Sequence, residues 1–418
     1  MAILARSRHP LLRCRELISY SMNNSPLDGV TVLDLCIVLA GPTCGRTLAQ
    51  YGANVIKVDP EYRPPQLTPW LDVGRGKESV VLNLRKPGGL EAFLTMARKA
   101  DVVLEGFRKG VADRLGIGYQ RLKTLNPEII YGSINCFGQD GPWQMRPGFE
   151  QNAQAATGIQ LRNAGVSIPS QPQRPRPATF TLNDYGTGIS AAYAVMLALL
   201  EREKTGKGQK IEAALSYTSA TITGPYHVDY PEYKRNDLGG PGKRGTDSLN
   251  QLYECADNSW IFLSVSADTE LLALQSIPLF ADIGDAPTSQ HLQTIFLGNT
   301  STHWVSLLTS VGIPVTVNKY SSELHRDEEN RKRGIVVDQD YRNIDVPSGE
   351  TKGSHQWGEA TWPGNPVTMS ECELIEVEPP AFGADTTTVL RRFGIPDAEL
   401  DKLEASGAIP QSSPIDLK

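Results

Sequence analysis

No pair of residues in this chain has the spacing of a disulfide framework or a metal centre. The six cysteines (Cys14, Cys36, Cys44, Cys136, Cys255 and Cys372) form no CxxC pair and read as reduced thiols. Six histidines are scattered without HExxH or other paired spacing, so no metal is expected. An excess of positive charge is lacking as well. The formal charge of −6 gives no electrostatic ground for nucleic acid or an anionic membrane as partner. The longest apolar run, about the 12 residues of Ile189–Leu200, falls short of the ~20 that span a bilayer. Walker and GxSxG sequences are absent too. What remains is ordinary globular composition, 40% hydrophobic and 21% charged, over 418 residues, enough for two domains or more.

The first 22 residues stand apart. Arg6, Arg8, Arg13 and Arg15 interleave with Leu4, Leu11, Leu12 and Leu17, and Glu16 is their one acid. This is either a mitochondrial presequence or a tail ahead of Met22. The expected location is accordingly mitochondrial or cytoplasmic.

Beyond the tail, strands alternate with helices. Val30–Leu35, Asn54–Val58, Ser79–Leu84, Val102–Leu104, Ile129–Ser133 and Gln209–Ala214 read as strands. Thr43–Tyr51, Leu90–Ala100 and Tyr119–Leu125 read as helices, as does Ile189 to about Glu203, which Lys204 to Gly208 closes. This order predicts an α/β fold, Rossmann-like, with a mainly parallel sheet between helical layers. Gly165–Pro177, with four prolines, is a loop. Residues 224–245 read as a linker to a smaller α+β domain holding the strands Trp260–Val265 and Ile313–Val317. Thr386–Phe393 and Asp397–Ala405 are the last helices. The expected division is a tail at 1–26, the first part of a large domain at 27–223, linker and small domain at 224–345, and a return to the large domain at 346–418.

Asp184 is the leading site candidate. It stands in Asn183-Asp184-Tyr185-Gly186-Thr187-Gly188, directly before the apolar run. A helix N-terminus favours negative charge, and glycines let a ligand carbonyl approach backbone N–H groups. Taken alone, an aspartate there is either such a nucleophile or an N-cap worth ~1 kcal/mol. A dinucleotide site is argued against by the first turn, Leu39-Ala40-Gly41-Pro42-Thr43-Cys44-Gly45. It is not GxGxxG, and Pro42 removes an N–H from any phosphate cradle, although Asp59 stands where a ribose-binding acid would. Basic residues cluster after the strands: Arg75 and Lys77 in one turn, Arg108 and Lys109 in another, with Arg114 beyond. Two such clusters at one sheet edge suit a ligand with several phosphates; singly, each reads as solvated surface.

Together these stretches resemble the class III CoA-transferases, the family of formyl-CoA transferase and carnitine CoA-transferase that also includes α-methylacyl-CoA racemase. The likeness runs from Leu27 to about Ile409. It rests on Val38-Leu39-Ala40-Gly41-Pro42, on Tyr51-Gly52-Ala53-Asn54-Val55-Ile56-Lys57-Val58, and on Cys136-Phe137-Gly138-Gln139-Asp140-Gly141-Pro142. Asp184 with Thr187-Gly188 matches the place of the family's catalytic aspartate; Lys204-Thr205-Gly206-Lys207-Gly208-Gln209, Gly312-Ile313-Pro314 and Pro379-Pro380-Ala381-Phe382-Gly383 follow in order. Two departures stand out: Gly76 and Gly106 replace the family's usual asparagines, and Gly383-Ala384-Asp385-Thr386 replaces Gly-Glu-His-Thr.

The resemblance implies an interlocked homodimer, with the large domain built from both termini. Coenzyme A enters as a substrate, contacted by Val38, Lys77, Phe107 and Arg114. Racemases of the family carry a His-Asp pair where this chain has Phe149-Glu150, so the expectation is transfer rather than racemisation, with Glu150 catalytic or merely positioning. Asp184 would attack a donor thioester, pass through a mixed anhydride to an aspartyl-CoA thioester, and hand CoA to an acceptor acid. Backbone N–H groups near Gly186 and Gly188 would stabilise the oxyanions. Apart from the resemblance, a small dicarboxylate substrate would call for a positive residue near Asp184, for which Arg162, Arg174 and Arg176 are the candidates. Gly239-Gly240-Pro241-Gly242 reads as a lid or as a plain linker. The alternatives are a racemase and a non-catalytic CoA-binding protein.

Overall fold

Short apolar runs that bury both faces build the centre of the molecule. In the computed structural model, which describes residues 25–165, 174–233, 240, 242–340, 359–372, 374 and 379–411, Val32 and Leu33 point to opposite faces of one strand and are both fully buried. That is the signature of a parallel sheet covered on both sides. The elements in order are β1 (Thr31–Asp34), α1 (Ala40–Gln50), β2 (Asn54–Asp59), α2 (Leu67–Val73), β3 (Lys77–Val81), α3 (Gly89–Ala97) and β4 (Val102–Glu105). Next come α4 (Val111–Arg114), α5 (Tyr119–Leu125), β5 (Ile130–Asn135), α6 (Glu150–Ala156), α7 (Ile159–Ala164), α8 (Leu182–Thr205), β6 (Lys210–Ala214) and α9 (Leu215–Ile222). The six strands pair in the order β3-β2-β1-β4-β5-β6, every neighbour parallel. The order reverses between β1 and β4, and the carboxyl ends of those strands frame a crevice, the usual ligand position in such sheets.

One face of the sheet packs against α3, α5 and the two last helices, α15 (Thr386–Arg392) and α16 (Asp397–Ala405). The C-terminal segment thus returns to the large sheet. Asp385 accepts the Ser79 N–H, Thr386 accepts the Val81 N–H, and Arg392 pairs with Glu78. The other face is covered by α1 and α8. In between lies a second unit. Its antiparallel sheet, β7 (Gly245–Asp247), β8 (Asn250–Glu254), β9 (Trp260–Ser264) and β10 (Val315–Val317), packs with α10 (Asp268–Gln275), α11 (Ser289–Phe296) and α12 (Ser301–Ser310). Phe296 is its hub, stacked on Tyr253 at 4.8 Å and met edge-on by Trp304 at 5.2 Å. The short helices α13 (Ser321–Leu324) and α14 (Glu328–Lys332) lead to the hairpin of β11 (Val336–Asp340) and β12 (Glu359–Pro363). The expected α/β architecture with a smaller middle unit is therefore the observed one.

One difference from expectation bears directly on the site. The helix carrying the central apolar run begins at Leu182, seven residues before Ile189. The N-terminal tail, residues 166–173 of the proline-rich loop, Gly239 and Pro241 lie outside the described residues. No described helix is long and apolar enough to cross a membrane.

Candidate active site

Asp184 lies in the first turn of α8, where backbone N–H groups have no helical partner. The residue ahead of the helix, Thr181, caps nothing with its side chain. The cap comes from 34 residues upstream. Glu150, the first residue of α6, accepts the Asp184 N–H at 2.8 Å on Oε2 and the Asn183 N–H at 3.3 Å on Oε1. The same Oε1 takes the side-chain amides of Asn183 at 3.0 Å and Gln154 at 2.8 Å. Four donors offset the cost of burying this carboxylate, and they fix the start of the helix. Glu150 holds the backbone from which Asp184 projects.

The Asp184 side chain is different. It is 7% exposed, and no hydrogen bond to its carboxyl oxygens is found among the described residues. Burial raises its pKa to about 7, and the Glu150 charge adds to the shift. A buried carboxyl with no partner, ionising near neutral pH, is suited to react rather than to hold structure.

Gly186 and Gly188 do not serve as expected. Because α8 starts at Leu182, both fall inside the helical ladder, and their N–H groups are committed to carbonyls four residues back. Their function is close packing. A Cβ at Gly188 would stand 2.5 Å from both the Ala40 carbonyl oxygen and the Thr43 Cβ of α1. One at Gly186 would stand 3.0 Å from Thr218 of α9. Another helix end shares the cleft. Ala40 and Gly41, the first two residues of α1, line the same cleft as Asp184.

That cleft, about 600 Å³ to its open mouth, is also walled by Ile37, Val38, Gly106, Arg108, Asn135 and Arg146. Two of its thiols are inert. Burial first, then the Asp184 and Glu150 charges, push Cys136 up to about 12; burial and Asp34 raise Cys36 well above its usual value. Neither is a thiolate at neutral pH. Two buried polar atoms in the wall, Asn135 Nδ2 and Gln144 Oε1, have no partner among the described residues.

A second cleft adjoins the first and shares Cys36, Ile37 and Val38 with it. Its other walls are Pro42, Lys57, Asp59, Arg63, Pro64, Pro65, Gln66, Pro69, Trp70 and Val73. Val38 therefore sits on the ridge between the two. It has φ +65°, a conformation rare for a β-branched residue, which costs about 1–3 kcal/mol and is found mainly where a ligand site requires it.

The expected basic residues divide into two groups. Arg108 is exposed and lines the Asp184 cleft, and Phe107 beside it is held by its N–H to Glu105 at 2.6 Å. Arg114 is exposed at the end of α4. Lys77 is brought to neither cleft. Its ammonium is wholly buried, 2.8 Å from Asp34 Oδ2 and 2.8 Å from the Pro42 carbonyl oxygen. Arg75 is equally buried, paired with Asp72 at 3.1 Å and stacked over Trp362. These two side chains hold the interior, so a phosphate-binding role does not fit their placement. Gly76, between them, has φ +71°, a region asparagine tolerates better than other side chains, which accounts for the Gly-for-Asn exchange. Arg162 stacks on Tyr226, and Arg174 and Arg176 are exposed; none of the three lines the Asp184 cleft.

Arg146, Asn135 and Gln144 escaped the sequence reading. All lie in or beside the turn after β5, whose signal was an arginine and aromatics immediately ahead of Glu150.

A model of CoA-transferase family III matches residues 27–386, and the chain belongs to that family. It is 28% identical over 404 residues to the acetyl-CoA:oxalate CoA-transferase of Acetobacter aceti, covering 90% of this chain and 97% of that one. It is 33% identical over 258 residues to the beta subunit of succinyl-CoA–L-malate CoA-transferase of Chloroflexus aurantiacus. That match covers 58% of this chain and 62% of the relative, so less than two thirds of the relative is spanned. The human alpha-methylacyl-CoA racemase is 27% identical over 335 residues, 76% of this chain and 84% of the racemase. In fold, the chain is similar to the crystal structure of a CAIB/BAIF family protein from Brucella suis: TM-score 0.72, 23% identity, 89% of this chain and 100% of that one.

Proposed function

We propose that this member of CoA-transferase family III transfers CoA between carboxylic acids through a covalent thioester on Asp184. The observation that carries the reading is the buried Asp184 carboxyl, without a hydrogen-bond partner among the described residues and with a pKa of about 7, on a backbone held by Glu150 in a cleft that adjoins a second one at Val38. A long acyl-CoA suits such a double cleft. Its nucleotide end would lie along the proline-lined half near Arg63, and its thioester against Asp184.

In the first half-reaction an Asp184 carboxylate oxygen adds to the donor thioester carbonyl, the C–S bond breaks and CoA leaves as thiolate. The thiolate then adds to Asp184 Cγ of the mixed anhydride. The C–O bond breaks, the donor acid departs, and CoA is left as a thioester on Asp184. An acceptor carboxylate reverses both steps, so thioester energy is retained and nothing is hydrolysed. The Ala40 and Gly41 N–H groups at the start of α1, with Asn135 Nδ2, would receive the developing oxyanions. Pro42 at the third position contributes no N–H.

Racemisation is the second reading, and it is disfavoured. Proton removal and return at carbon require a base on each face, and no histidine lines the cleft among the described residues.

Mass spectrometry of enzyme turning over with an acyl-CoA donor tests the proposal. A CoA-sized adduct, cleavable by hydroxylamine, is expected on the peptide containing Asp184, and an adduct on Cys36 or Cys136 would refute it. Asp184 must be ionised to attack. kcat/KM should therefore climb with pH, level off above about 7, and fall about tenfold per unit below.

We also propose that the chain forms an interlocked homodimer. Ile189, Tyr193, Leu197 and Leu200 make one stripe on α8, each about half exposed, which a second copy would cover. Light scattering should give twice the 45.7 kDa of one chain; a monomer at assay concentration would contradict this.

A further inference from the structure

We infer that Tyr185 and Asp72 are positioning residues for the reaction at Asp184, tying the wall of the second cleft to the first turn of α8. A ligand's remote end, bound in that cleft, then helps to place the reacting carboxyl; this rests on the reading of Asp184 given above. The Tyr185 hydroxyl donates to Asp72 Oδ2 at 2.7 Å. Asp72 Oδ1 accepts from Arg46 of α1 at 2.7 Å and from Arg75 at 3.1 Å. The Arg46 guanidinium also lies over the Tyr185 ring, 5.7 Å from its centre. Helices α1, α2 and α8 thus meet on one carboxylate. Two guanidiniums and a phenol hydroxyl offset the cost of partly burying it. Burial, then the Asp72 charge, raise the Tyr185 pKa, so the phenol keeps its proton and the bond is present at neutral pH.

The place of α2 makes this join more than packing. Pro69, Trp70 and Val73 share one side of α2 and line the second cleft. Asp72 leaves the helix on another side, toward α1 and α8. Trp70 is pinned in turn, its indole N–H donating to the Pro380 carbonyl at 2.9 Å. Tyr185 is the residue after Asp184, so the first turn of α8 is held from two sides. Glu150 takes the Asp184 and Asn183 N–H groups, and Asp72 takes the Tyr185 hydroxyl. Glu150 belongs to α6, which lends no residue to the second cleft among the described residues; Asp72 belongs to the helix that walls it. A CoA thioester is long, and its nucleotide end takes no part in the bonds that break. Binding energy from that end raises kcat only where the protein connects the two ends of the site. The bond between Tyr185 and Asp72 is such a connection.

The test compares a CoA thioester with the pantetheine thioester of the same acid, which lacks the nucleotide. Formation of the Asp184 adduct is timed by mass spectrometry, at saturating thioester, for wild type and for Tyr185→Phe, which keeps the ring and removes only the hydroxyl. Wild type should form the adduct faster from the CoA thioester. The variant should lower the CoA-to-pantetheine rate ratio about tenfold, the scale of one hydrogen bond to a charged group. A loss of packing alone slows both reactions together and leaves the ratio as it was. An unchanged ratio, or a wild type equally fast with both thioesters, overturns the inference while leaving the Asp184 adduct intact. Where the pantetheine thioester reacts too slowly to time, the CoA thioester decides alone: a tenfold slower adduct at unchanged Kd supports the coupling, and an unchanged rate overturns it. Absence of the adduct with either thioester overturns the inference together with the reading beneath it.

Discussion

Replacing Asp184 with asparagine should remove CoA exchange, lowering kcat by at least ~10⁴-fold, the scale seen when a nucleophile is lost. The amide keeps the shape of the carboxyl and leaves the backbone N–H on Glu150. It also relieves two penalties, the burial of a carboxyl and its repulsion by Glu150. The variant should therefore fold with unchanged or higher stability and still retain acyl-CoA, measured by isothermal titration against a thioester donor. Loss of exchange with retained binding separates chemistry from affinity. Residual exchange at more than a hundredth of wild type would place the nucleophile elsewhere, and the raised pKa values of Cys36 and Cys136 leave no obvious successor.

Lys77→Met is the second large effect, and it acts on stability. The Lys77 ammonium and the Asp34 carboxylate are both inaccessible to solvent, 2.8 Å apart. Removing one member leaves the other charged and buried, which costs about 3–5 kcal/mol. The Pro42 carbonyl, in the first turn of α1, loses its donor as well. Chemical denaturation should show that loss, and weaker acyl-CoA binding should follow from a disturbed α1. A surface lysine serving only phosphates would give the opposite pattern, with affinity lost at wild-type stability. Equal denaturation midpoints for Lys77→Met and wild type would return Lys77 to the role the sequence suggested.

The alternation of apolar runs and helical periods made the doubly wound sheet legible, because residues such as Val32, Leu33, Val102 and Val103 take their burial from the strands themselves. Asp184 was legible as a position within a recognisable order of motifs. Its setting was not. The start of α8 is capped by Glu150 through contacts spanning more than 30 residues, and Asn183 to Gly188 are poor helix formers that locally read as a turn. The error over Gly186 and Gly188 follows directly from that misplaced boundary. Lys77 and Arg75 read as surface because a Gly-Arg-Gly-Lys turn carries no local sign of partners; Asp34 lies 43 residues earlier. Arg146 was passed over because the cleft it lines with Asp184 forms only when the turn after β5 folds beside the start of α8.

The contact between Gly188 and the Ala40 carbonyl has a practical corollary for anyone redirecting this protein to new acids. At this crossing α8 presents bare backbone to the Ala40 carbonyl and to the Thr43 side chain, so any side chain added at Gly188 meets both. Substitutions at Gly188 should yield mostly misfolded clones. Diversity placed at Trp143, Gln144 and Arg146 instead reshapes the mouth while the rigid floor stays untouched.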